Sequence, residues 1–116
     1  TFPINGKFSK AQQAIYEIVL ESNKQAIQEV KVGSPWNKQS DKAIEVLVRG
    51  LIDLKLLTGL VEDNLANGAY RQFFMHRVGH WLGLDVHDVG SYKKNNEWRL
   101  FEPGMCTTIE PGLYIS

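Results

Sequence analysis

Glycine spacing divides this chain near Tyr70, and the division limits what it can fold into. After Tyr70 come Gly79, Gly83, Gly90, Gly104 and Gly112, interleaved with aromatic and β-branched residues. That mixture favours short strands and turns over helix. The first part reads differently. Ser9-Lys-Ala-Gln12 is a capping-box pattern, in which Ser9 accepts from the Gln12 backbone and the Gln12 side chain returns the bond. Behind it Ala11, Ile15, Ile18, Val19, Ala26, Ile27 and Val30 recur at helical spacing until Gly33-Ser-Pro35. A second helix is expected to start near Ser40-Asp41 and end at Thr58-Gly59, with Ile44, Leu47, Val48, Leu51 and Ile52 as its apolar face. A short helix is expected over Val61 to Ala66, closed by Asn67-Gly68. The fold class this implies is α+β: two long helices packed on an incomplete antiparallel sheet.

The sheet is expected from several runs. Ala69 to Met75 reads as a strand or an extended approach, and Lys93 to Glu97 as a polar loop. Met105 to Glu110 and Leu113 to Ile115 read as strands around a Pro-Gly turn. Thr1 to Phe8 looks like a strand ending in an Asn-Gly turn, and the last residues also stop inside a strand-like run. Both ends lying in mid-strand make residues 1–116 read as a single fragment of a larger domain.

Composition narrows the function classes. Basic and acidic residues balance at 13 each, which gives no support to a nucleic-acid partner. No apolar run approaches membrane length, so no membrane partner is expected. The single cysteine, Cys106, cannot form an internal disulfide; it suits a reducing cytoplasm and reads as a small buried hydrophobe. A cut sheet exposes strand edges and an apolar face, so a homo-oligomer is expected.

The chemistry concentrates in one place. All three histidines fall in His76-Arg-Val-Gly-His80-Trp-Leu-Gly-Leu-Asp-Val-His87. His76 and His80 have the spacing of one helical face, but Gly79 and Gly83 speak for a loop instead. A neutral imidazole can bind a metal through one nitrogen while an acceptor fixes the other. Glu110, set among Thr107, Thr108, Ile109 and Leu113, is expected to be partly buried and to need a partner: a metal, a histidine or an arginine. Glu102 reads as a solvated turn carboxylate. Asp85 and Asp88 flank His87, either to orient an imidazole or to structure the loop.

Together these motifs resemble a family. His76-x-x-Gly-His80-Trp-Leu-Gly-Leu-Asp-Val-His87-Asp, then Glu102-Pro-Gly-Met and Thr-Ile-Glu110-Pro-Gly-Leu-Tyr-Ile, are similar to the Xaa-Pro aminopeptidases among the pita-bread metallopeptidases. The opening Thr-Phe-Pro-Ile-Asn-Gly-Lys-Phe is similar too. The resemblance implies a partial pita-bread fold and a dinuclear metal site, usually manganese. The implied substrate is a peptide with proline at its second position, cut before that proline. It implies His80 and Glu110 as metal ligands, with Glu110 also shuttling a proton. It implies His76 and His87 as histidines that hold substrate, His87 also stabilising the tetrahedral intermediate, and Tyr114 as a support behind them. The family uses five protein ligands, of which two fall here; two aspartates belong before Thr1 and a glutamate after Ser116. The isolated chain is therefore expected to be inactive. The alternatives are a non-catalytic binding or interaction module of the same fold, or a prolidase or methionine aminopeptidase-type hydrolase.

Overall fold

The computed structural model describes residues 1–115. Helix α1 spans Lys10–Glu29, and its start has both bonds of the capping box. The Gln12 amide donates to Ser9 Oγ at 3.2 Å and the Ser9 amide donates to Gln12 Oε1 at 2.9 Å. Helix α2 spans Lys38–Asp53 and packs along α1. Small residues let the two backbones approach. Ser22, Ala26 and Ala43 are fully buried, and the Ser22 hydroxyl donates to the Ala43 carbonyl at 3.0 Å. A Cβ on Gly50 would meet Ile18 Cγ2 at 2.6 Å, closer than van der Waals contact allows. Helix α3 covers Val61–Asn67 and ends at Gly68, whose φ of 71° is the left-handed conformation expected of a C-terminal cap.

The ends of α2 differ from expectation. The helix starts at Asn37-Lys38, not at Ser40-Asp41, because Asn37 Nδ2 donates to Asp41 Oδ2 and ties the first turn together. It stops at Asp53, well before Thr58-Gly59. The Leu56 amide donates to Leu51 O and the Lys55 amide to Ile52 O, at 2.9 Å each. This is a Schellman closure with Lys55, at φ 60°, in the position glycine normally takes.

Three readings, two of strand and one of loop, also change. Ala69–Gln72 is a turn of 3-10 helix, not a strand, because Asn67 Oδ1 accepts the Ala69 amide and winds the chain immediately after Gly68. The polar run after Tyr92 is a hairpin: β1 (Lys93–Lys94) pairs antiparallel with β2 (Glu97–Trp98). Asn95 and Asn96, both at positive φ, form the two-residue turn that suits a twisted hairpin. Residues 1–8 keep the expected Asn-Gly turn, with the Gly6 amide on Pro3 O, but form no strand. The sheet is thus smaller than expected. Beyond the hairpin, the described residues hold isolated bridges at Pro35–Leu100 and Trp81–Thr107.

Two apolar clusters hold these parts. The first joins Ala26, Ala43 and Leu47 of the helix pair to Phe74 and Val78, with Ile109 and Leu113 packed against them. The second is aromatic: Trp36, Trp81 and Phe101, with Tyr92 and Met105 alongside. Cys106 is exposed, not buried, while its neighbour Met105 packs on this second cluster. The segment 78–81 begins in one cluster and ends in the other, so His80 is held at both sides by buried neighbours.

Candidate functional site

His80 and Glu110 meet because two extended segments run antiparallel. The Leu82 amide donates to Cys106 O, the Thr108 amide to His80 O and the Glu110 amide to Val78 O. The next bond of a regular ladder would run from the His80 amide to Thr108 O. Instead that amide donates to the Thr108 hydroxyl at 3.0 Å. The Thr108 carbonyl is turned onto residue 79, where a Cβ would lie 1.9 Å from its oxygen. Only glycine fits there. The substitution of a side chain for a backbone acceptor is also why the predicted strand over 105–110 is reduced to a single bridge.

The ring of His80 is oriented by its Nδ1, which lies 2.9 Å from the Trp81 carbonyl. A carbonyl only accepts, so Nδ1 carries the proton and a neutral ring presents a lone pair at Nε2. That Nε2 is 2.9 Å from Glu110 Oε1. A lone pair and a carboxylate oxygen this close repel unless a proton or a cation lies with them. Imidazole nitrogen and carboxylate oxygen are donors that suit manganese or zinc. The pair therefore fits a share of a metal site. Among the described residues no set of three His, Cys, Asp or Glu converges, so a full ligand set is not assembled.

The other expected residues divide. His87 lies against His80, with ring centroids 4.3 Å apart at 63°. His76 is engaged elsewhere. Its Nδ1 faces the Arg77 carbonyl at 2.8 Å, which leaves Nε2 to accept the Tyr114 hydroxyl at 2.7 Å. Phe74 meets the same ring edge-on. A groove lined by Trp36, Tyr70, Phe74, Tyr92 and Trp98 opens beside His76. Glu110 is more open than expected: its side chain is 52% exposed, because Ile109 and Pro111 turn inward on either side of it. Asp88 structures its loop, its carboxylate lying over Gly83 and its amide donating to Trp81 O. Glu102 is exposed, as expected of a turn carboxylate.

Two contributors were not anticipated. Thr108 donates to Glu110 Oε1 at 2.7 Å. Asn23 of α1 donates to the Ile109 carbonyl at 2.8 Å, tying the Glu110 segment to the helix pair. The first had a signal in the sequence, since residues two apart on an extended chain share a face. The second had none, because it joins positions 86 residues apart.

Residues 1–116 match the model of metallopeptidase family M24. The chain is 51% identical over 116 residues to the Xaa-Pro aminopeptidase of Haemophilus influenzae, covering 100% of this chain and 27% of that protein. It superposes on the aminopeptidase PepP of Pseudomonas aeruginosa with a TM-score of 0.97 at 51% identity, covering 99% of this chain and 26% of the other. A zinc-substituted Escherichia coli aminopeptidase P in complex with product gives a TM-score of 0.92 at 47% identity, covering 99% and 26%. The chain thus spans about a quarter of the length of the proteins it matches.

Proposed function

Because this chain belongs to metallopeptidase family M24, we propose that it is one part of the catalytic domain of a metal-dependent Xaa-Pro aminopeptidase with a pita-bread fold. The reaction would be release of the N-terminal residue that precedes proline. The observation that carries this reading is the convergence of His80 Nε2 and Glu110 Oε1 at 2.9 Å.

His80 and Glu110 would hold the metal, with manganese the expected ion, and further ligands would come from outside this chain. Bound divalent ions lower the pKa of a shared water and polarise the scissile carbonyl. The residues here would do the rest. Glu110, with an exposed carboxylate, would accept a proton and deliver it to the leaving amine. His87, exposed beside His80, would donate to the carbonyl oxygen as charge develops there. His76, fixed by Tyr114, would line the substrate side next to the aromatic groove. A proline lacks an amide N–H, so ring shape and apolar contact must identify it, and the aromatic wall suits that task.

The test uses the intact protein that carries this segment, loaded with Mn²⁺ and given a peptide with proline second. Removal of the first residue is expected. Glu110→Gln and His80→Ala are each expected to lower kcat by ~100-fold or more, as loss of a central catalytic group does. An intact protein that leaves such peptides uncut, or a Glu110→Gln variant with full turnover, would sink the proposal.

A further inference from the structure

We infer that Thr108 is the positioning residue that aims the Glu110 carboxylate at His80. This rests on the reading of His80 and Glu110 as a metal-binding pair. The Thr108 hydroxyl has one proton to give. The His80 carbonyl lies 3.5 Å from it, but that oxygen already accepts the Thr108 amide and the Thr107 hydroxyl, both at 2.9 Å. The proton is therefore directed to Glu110 Oε1 at 2.7 Å. The lone pair side of the same hydroxyl accepts the His80 amide at 3.0 Å. One oxygen thus links the backbone of one donor residue to the side chain of the other.

The two threonines divide the work. Thr107 and the Thr108 amide saturate the His80 carbonyl, which frees the Thr108 hydroxyl for the carboxylate. The β-branch of threonine restricts χ1, so the hydroxyl is held in one direction. Without it, an exposed glutamate with several rotamers would lose time away from His80. Outer contacts of this kind change metal affinity or activity by ~10- to 100-fold when removed.

The experiment again uses the intact protein. Mn²⁺ affinity is measured by calorimetry on metal-stripped protein, and kcat and KM with an Xaa-Pro peptide. Thr108→Val keeps the shape and removes the hydroxyl; Thr108→Ala is the second variant should valine fold poorly. Both are expected to weaken Mn²⁺ binding and lower kcat by at least ~10-fold, with KM little changed, while Thr108→Ser restores both to within about threefold. Unchanged affinity and kcat in Thr108→Val or Thr108→Ala, or a serine variant as impaired as they are, overturns the assignment. If the unmutated protein binds Mn²⁺ but cuts no Xaa-Pro peptide, the substrate reading fails and the calorimetry still decides Thr108. If it binds no Mn²⁺, both fall.

Discussion

Gly79 is the residue on which the site's geometry turns. Its α-carbon faces the Thr108 carbonyl, so even one methyl group collides with backbone rather than with a movable side chain. Gly79→Ala is expected to push apart segments 78–82 and 106–110, costing about 2–4 kcal/mol in stability by a buried overpacking with lost hydrogen bonds. Denaturant unfolding of the intact protein checks the size, and its Mn²⁺ affinity should fall with it. A variant of wild-type stability would show that the loop yields. The sequence made the histidines and Glu110 visible because metal chemistry needs those residue types. Spacing alone did not say which of them meet, and only the family resemblance paired His80 with Glu110: His76 faces Tyr114 and His87 faces His80, a partition set by chain path. The threonine pair was legible as strand formers, whereas the hydroxyl standing in for a ladder carbonyl was not.

At the scale of elements, helix interiors were legible and helix ends less so. Apolar periodicity located α1 and α2, and the capping box located the start of α1. The end of α2 was missed because Lys55 holds a left-handed conformation with no glycine to signal it. Lysine is strained there by roughly 1–2 kcal/mol, and the unfolded-state entropy of glycine offsets about 0.4–1 kcal/mol of that, so Lys55→Gly is expected to raise stability by about 0.5–1 kcal/mol. A lowered melting temperature would contradict this. The connection between α1 and α2 carries an ion pair, with Lys38 Nζ 3.0 Å from Glu29 Oε2. The hydrogen bond from Lys38 lowers the Glu29 pKa below its ordinary value, with further help from the charges of Lys38, Lys31 and Lys42. Folding is then favoured while Glu29 is ionised in both states, and that contribution is lost as pH falls through its lowered folded pKa. Melting temperatures between about pH 5 and about pH 3 are expected to drop less for Glu29→Gln than for the unmutated protein. Equal slopes would remove the pair from the acid response.

As a whole the molecule is a slab of 43 × 36 × 22 Å with a radius of gyration of 15.4 Å, against about 13 Å for a compact chain of this length. The excess reflects thin cover. Phe2, Ile4, Leu84 and Val89 are largely exposed, and among the described residues the strands are two residues long. This 116-residue chain on its own is expected to self-associate through those surfaces. Light scattering that returns a monomer mass at rising concentration would contradict that. No helix among the described residues is long and apolar enough to cross a membrane. The aromatic cluster has an optical consequence. Of the chain's three tryptophans, Trp36 and Trp81 belong to it with ring centroids 5.9 Å apart, and the more exposed Trp98 stacks on Trp36 at 6.0 Å. Their emission reports the wing beside His80 and is silent about the α1–α2 pair, which circular dichroism reads instead. Melting curves that coincide in the two signals mean that both clusters break together, and curves that separate mean that the wing can loosen alone. The chain carries its own fluorescent label next to His80.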